Sequence, residues 1–467
     1  MGVAVDEKPL EKAVAKPTSA FLTLFRTLKH LVEPPLELDG SLEIDKSLLE
    51  NCKPHHRKAV EMAITDLYGR RHEALIRLPA PMEKALCDKV LNDKRDLRLF
   101  LTFLQITLWL LLSSAFQLLV LPAHDKRGLW FMVIHLPITW IIFGQRFILA
   151  MHYAAHRPLI SPSKCGSLVA GVLNAFPQLI LSNFYGMPAG TYYVHHCVMH
   201  HQANNFFPYD ISSTMPYQRD SVLHFFAYVL NFMIHTMLYL PFYAIKKRRF
   251  DIGFAVLACV AAYCATFPII YNYHSIFFIN SLGVSFVLGP FALMLGNYSQ
   301  HIFVNPDDPK SNYGLACNHI NAPFNMLTFN DGYHITHHVS SITHWSEMPK
   351  HFIEHLDKYE QGEAILFQGI NFDDVTFAVF AGESGLKRLA SKVVQITPKH
   401  KTEAELIAMF KKRLQPIHTE ATKLGYPQIG VFLANEALWC GLSMLGFPGA
   451  ILPALAVPAF HLIYAFA

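Results

Sequence analysis

Long apolar runs parted by short polar breaks set the rhythm of this chain. Residues 99–121 (LFLTFLQITLWLLLSSAFQLLVL) and 129–151 each reach the ~20 apolar residues a helix needs to cross a bilayer. Only a polar turn at 124–128 separates them, so the pair reads as a membrane hairpin. The next run, 167–182, is shorter and is broken by Asn174 and Pro177, which suits an interfacial or re-entrant segment. Three further runs follow at 222–243, 252–270 and 276–295. The first of these carries His224, Asn231 and His235 and ends beside Lys246, Lys247, Arg248 and Arg249. The positive-inside rule keeps that basic cluster cytosolic, so 222–243 reads as interfacial and the next two runs form a second hairpin.

The flanks differ. Residues 1–98 mix polar and apolar positions, with helical periodicity around 57–77, and read as a cytosolic helical segment; 351–426 returns to soluble composition, with an amphipathic helix near 403–414. From 425 to 467 only Glu436 is charged, which predicts an apolar membrane hairpin or an amphipathic segment on the bilayer surface. The expected fold is an all-α integral membrane protein with four core spans in two hairpins, a cytosolic helical cap and a C-terminal apolar segment. The expected units are 1–98, 99–350, 351–426 and 427–467.

Composition agrees with this reading. The chain is 52% hydrophobic and only 16% charged, where about a quarter is usual in soluble domains, and mean hydropathy is +0.25. The net charge of +4 is mild, and its basic residues cluster beside apolar runs rather than among stacked aromatics, which argues against nucleic-acid binding. Eight scattered cysteines with no Cys-x-x-Cys pair argue against a disulfide framework or a thiolate zinc site. The N-terminal stretch has charge but no following apolar region, so no secretory signal is expected, and Val5-Asp6 lack the Ser/Thr of a myristoylation motif.

The candidate chemistry lies where the apolar runs end. His334, His337 and His338 are spaced i, i+3, i+4, which places three imidazoles on one helix face. His152 and His156 close the second span at i, i+4; His196, His200 and His201 follow the interfacial run; Asn297 and His301 close the fourth span at i, i+4. With the topology above, all nine histidines face one aqueous pocket beside the membrane. Nine imidazoles exceed what one ion can take, so two ions are implied. Nearby carboxylates would orient the rings, and Asp331, Glu347 and Asp210 are the ones close in sequence. His195 competes with His196 as a ligand, and His196 is preferred because it faces His200 at i, i+4. His55 and His56 read as solvated surface, and His319 and His344 as loop residues. Trp345 and Tyr333 are expected to pack near the interface.

These residues resemble the membrane-bound fatty acid desaturase and hydroxylase superfamily, whose signature is three histidine boxes. Here they read HYAAH (152–156), HCVMHH (196–201) and HITHH (334–338), and NYSQH (297–301) is similar to the Asn-x3-His element of acyl-CoA desaturases. The resemblance implies a non-haem centre of two iron ions, which zinc can replace in purified protein, with O2 as co-substrate. It also implies that Asn297 contacts iron through water and that the boxes face the cytosol, with the endoplasmic reticulum as the expected membrane. The substrate would be a membrane lipid or acyl-CoA. No His-Pro-Gly-Gly motif is present, so no fused haem domain is expected and electrons come from a separate carrier such as cytochrome b5 with its reductase, or ferredoxin. Desaturation of an acyl chain is the leading expectation and hydroxylation by the same superfamily the alternative. A histidine-lined metal transporter or an inactive lipid-binding relative are readings of a different class.

Overall fold

The computed structural model describes residues 47–68 and 77–417; the expected C-terminal apolar segment lies outside them. The chain is an all-α integral membrane protein. The helices used below are α1 (Arg57–Tyr68), α2 (Leu97–Val120), α3 (Gly144–His156), α4 (Ser167–Leu179), α5 (Val222–Leu238), α6 (Leu240–Lys246), α7 (Phe250–Tyr273) and α8 (Val284–Gln300), then α9 (His334–Val339), α10 (Leu356–Gln361), α11 (Phe372–Phe380) and α12 (Glu403–Leu414). Two four-residue strands, β1 (Cys317–Ile320) and β2 (Ile365–Gln368), pair in parallel, an element that the Asn- and Gly-rich sequence around β1 did not suggest.

Four helical stretches are long and apolar enough to cross a membrane: Lys94–Val120, Ser167–Tyr185, Phe250–Tyr273 and Ser275–Gln300. This set differs from the expected one. The expected second span is a pair, Lys126–Ile142 and Gly144–His156, bent by 43°, and the run at 222–243 is a pair bent by 58°. Both bends have local causes. Pro137 opens a π-helical turn, Pro137–Ile142, and Pro241 opens α6; a proline lacks the N–H that would continue the ladder. Leu111, Leu112, Leu119 and Val133 are all more than 60% exposed, as lipid-facing side chains must be.

The side-chain contacts fix how many of these runs can cross. His156 lies against His196, with Nε2 atoms 2.9 Å apart, so the chain between them begins and ends on the same side of the membrane. A single crossing by α4 would separate them, and α4 therefore lies along the interface despite its apolar length. Its exposed stripe of Leu168, Val169 and Val172 suits that position. The same reasoning applies between His200 and His301, whose ring centroids are 5.3 Å apart: an even number of crossings separates them, and α7 and α8, each part of a stretch long and apolar enough to span, meet that count as a hairpin.

Two cores lie beneath the bundle, and both mix membrane helices with the flanks. One joins Ala59, Val60 and Ala63 of α1 to α2, α3 and the segment around α9, and the other joins α5–α8 to α11 and α12. In α12 a capping box starts the helix: Thr402 Oγ1 accepts from the Glu405 N–H at 3.3 Å and the Thr402 N–H donates to Glu405 Oε2 at 2.7 Å. Leu406, Ile407, Phe410 and Leu414 then form its buried face.

Candidate metal centre

Four chain segments deliver the histidines. The last turn of α3 carries His152 and His156. A π-helical segment, Val194–His200, carries His195, His196 and His200 and leads into His201. His301 caps α8, and α9 carries His334, His337 and His338.

Their Nε2 atoms converge on two points. One group is His152, His156, His196 and His337; the other is His200, His301, His334 and His338. In the first, His152 and His337 approach to 2.7 Å and His156 and His196 to 2.9 Å. His201 joins this side, with its Nε2 at 3.0 Å from that of His196 and 2.9 Å from that of His337. In the second, His334 lies 3.0 Å from His301 and 3.2 Å from His338, again through Nε2. Each short helix thus feeds both groups. In α9, His337 turns to one point while His334 and His338 turn to the other. His196 enters the first group and His200 the second, so the i, i+4 pairing that favoured His196 is not what places it. The wider π turn sets His196 against His201 instead, at i, i+5.

The outer nitrogens show why Nε2 faces inward. His200 Nδ1 donates to Asp210 Oδ2 at 2.7 Å, and His301 Nδ1 donates to the Leu315 carbonyl at 2.9 Å. His338 Nδ1 contacts Asn204 Oδ1 at 3.3 Å. A ring that gives its Nδ1 proton outward keeps a lone pair on Nε2, the form that ligates a metal. Burial, reinforced by neighbouring imidazoles, pushes His334, His337 and His338 well below the usual imidazole range, so these rings are neutral at physiological pH. Neutral nitrogens about 3 Å apart are unfavourable neighbours without a cation between them. The donor set fits two metal ions.

The carboxylates sort unequally. Asp210 is buried and accepts from His200, from the Ser212 N–H at 2.8 Å and from Ser212 Oγ at 2.7 Å. Desolvation raises its pKa, but His200, His195 and the Ser212 hydroxyl prevail and hold it well below the carboxylate range. Asp331 lies 3.9 Å from His152 Nδ1 and accepts from Gln300 Nε2 at 2.5 Å, and burial pushes it up to about 7. Glu347 does not belong here. Its side chain is 54% exposed and accepts from Arg95 Nη1 at 2.6 Å, because the chain turns outward after His344. Asn297 donates to the Ser212 carbonyl and to Tyr228 Oη while lining the cavity next to the histidines.

Other histidines take structural roles. His344 Nε2 and Trp345 Nε1 both reach Asp96 Oδ1 at the start of α2, which buries Trp345 in the cap rather than at the interface. Tyr333 is likewise buried, donating to Asp66 of α1. His319 stacks on Phe367 between β1 and β2. His55 and His56 are not simply solvated: both reach Glu360 of α10, at 3.3 and 3.0 Å, and His56 is buried. Sequence reasoning missed Ser212, whose Oγ bridges Asp210 Oδ1 and His195 Nε2; nothing in the spacing of Ser212 marks it.

A cavity of about 320 Å³ opens at the histidines. It follows α8 from Asn297 to Leu288, a rise of about 13 Å, and α3 from His152 back to Gly144. Ile148, Leu149, Phe291 and Leu295 give it an apolar wall, so its shape and lining suit a hydrocarbon chain whose one end lies under both histidine groups.

The profile of the fatty acid desaturase family matches residues 127–368, just over half of the chain and all three histidine boxes. No curated protein and no solved structure matches. The boxes, the paired histidine groups and the apolar slot beneath them therefore have one family context, and the chain belongs to the fatty acid desaturase family.

Proposed function

We propose that the protein is an O2-dependent desaturase that introduces a double bond into the acyl chain of a lipid. The observation that carries this reading is the convergence of nine imidazoles on two points at the end of an apolar slot. The nine histidines are the proposed ligands of two iron ions, with zinc a substitute, and Asn297 would reach iron through water. The Nε2 atoms of these rings face one another at 2.7–3.2 Å, a set of neutral imidazole donors that would hold the ions.

Two bound irons with O2 supply the removal of hydrogen from an unactivated C–H bond. In balance, one O2, two external electrons, two protons and a CH2–CH2 unit give one double bond and two waters. The chain's own part is placement. The α3 and α8 walls hold the hydrocarbon straight into the bilayer and exclude water from the reacting carbons. Asp210 fixes the ring of His200, while Asp331 sits 3.9 Å from His152 Nδ1 without bonding it. Hydroxylation by the same centre is the competing outcome, and the family match favours desaturation.

The electron donor is a separate carrier, cytochrome b5 with its reductase or ferredoxin. The boxes are assigned to the cytosolic side of the endoplasmic reticulum, and the working division of the chain remains 1–98, 99–350, 351–426 and 427–467. The test is gas chromatography–mass spectrometry of lipids from a yeast host expressing the protein beside its His337→Ala variant. A new unsaturated chain absent from the variant is expected. A hydroxylated chain would replace desaturation by hydroxylation, and identical lipids in both strains, with iron-loaded protein present, would overturn the reading.

A further inference from the structure

A second cluster of metal-type donors lies in the helical cap, apart from the nine histidines. His55 and His56 sit in the turn Pro54–His56 that leads into α1. Both rings aim Nε2 at Oε2 of Glu360 in α10, at 3.3 and 3.0 Å. The three ligand atoms all lie within 4.8 Å of one another. His56 is buried, while the side chains of His55 and Glu360 are 19% and 20% exposed, so an ion from solution can reach them.

His56 also stands between two carboxylates. Its Nε2 faces Glu360, and its Nδ1 faces Asp357 Oδ1 at 3.8 Å. Burial lowers its pKa in spite of Glu360, so the ring is neutral at physiological pH. A neutral imidazole has one N–H for its two nitrogens, so one of them turns a lone pair toward a carboxylate. A cation at Nε2 removes that conflict. The ring proton then sits on Nδ1, toward Asp357, and the lone pairs of His55, His56 and Glu360 share the ion. A carboxylate behind a ligating ring is the arrangement that orients such rings. Lys53 is the competing cation. Its Nζ bonds Asp357 at 2.9 Å but stands off Glu360 at 3.4 Å, and its side chain is 48% exposed and able to swing outward.

We propose that His55, His56 and Glu360 bind one zinc ion, with water as the fourth ligand. Two imidazoles and one carboxylate suit zinc, which takes four nitrogen, oxygen or sulfur donors. The ion ties the turn before α1 to α10. That tie adjoins the histidine centre: Tyr359, the neighbour of Glu360, shares a 2.7 Å hydrogen bond with the hydroxyl of Thr336, which lies between His334 and His337 in α9. Zinc here braces the helix that carries the third histidine box.

The test is a metal count on full-length, iron-loaded protein equilibrated with zinc and then freed of excess metal, with iron and zinc read together by plasma mass spectrometry. The wild type should carry one zinc per chain in addition to its iron. Glu360→Gln and His55→Ala should bind zinc at least about tenfold more weakly, measured against a chelating dye, with iron content unchanged. Lys53→Met, which keeps all three ligands and removes the rival cation, should bind zinc more tightly than wild type. No zinc in the wild type, zinc taken up only as iron is lost, or an unchanged zinc affinity in either Glu360→Gln or His55→Ala overturns the inference. If both of these variants lose iron along with zinc, Lys53→Met decides: tighter binding supports the site, and equal or weaker binding overturns it. The zinc count stands apart from the desaturase reading, since neither outcome depends on turnover.

Discussion

At the residue scale, the molecule depends on buried carboxylates that hold neutral groups in place. Asp66 of α1 is the clearest case outside the metal centre: its Oδ2 accepts from Tyr333 Oη at 2.7 Å, the Asn321 N–H at 2.6 Å and Asn325 Nδ2 at 3.1 Å. Burial outweighs these bonds and pushes its carboxyl up to about 7, from 3.8. An acid with a raised folded pKa binds its proton more tightly when folded. Its stabilisation is complete below about pH 4 and is lost as pH rises to about 7. The thermal midpoint of the wild type should therefore fall over that window relative to Asp66→Asn, by less than about 4 kcal/mol in stability; parallel pH profiles would contradict it. Asp210 supports a ligand directly. Asp210→Ala frees the His200 tautomer and is expected to weaken iron binding 10–100-fold in a chelator competition, whereas an unchanged affinity would remove Asp210 from the metal centre. Sequence made Asp210 a candidate by proximity alone, and the same criterion chose Glu347, which points to solvent. Closeness along the chain carries no direction for a side chain, and the turn after His344 decides between them.

At the element scale, the histidine spacings were legible as helices, but their division between two groups was not. A three-residue or four-residue gap predicts one shared face on an ideal α-helix. The π turn at Val194–His200 breaks that rule, and no residue in VHHCVMH announces it. Helix contacts were equally silent. Gly289 of α8 packs so closely on the segment Leu181–Tyr185 that an added Cβ would strike the Tyr185 carbonyl oxygen. Gly289→Ala must push α8 away from that segment, at a cost of roughly 1–3 kcal/mol. Its thermal midpoint should drop well below that of Gly171→Ala, where an added Cβ meets nothing within 4 Å. Equal midpoints would mean that the two segments are not so closely packed.

At the scale of the whole molecule, the apolar runs gave the membrane class, while length and composition alone misjudge which runs cross. Ser167–Tyr185 passes the test for a span and is held at the interface only because His156 and His196 meet. The buried Arg219 closes the arrangement from the other end: it donates to the carbonyls of Ile302, Thr214, Met215, Arg413 and Gln415, tying the segment after His301 to α12. The topology predicts that Lys126→Cys and Lys350→Cys, in a background without other reactive cysteines, label from opposite sides of sealed vesicles; both exposed side chains are accessible to the reagent. Labelling from one side would refute the hairpins.

The paired metal centre is most directly tested by counting iron in the purified, iron-replete protein by plasma mass spectrometry. Two irons per chain are expected, with a marked loss in His337→Ala and in His334→Ala, one variant from each group. A single iron per chain, or full iron in both variants, would mean that the two histidine groups do not form a di-iron centre.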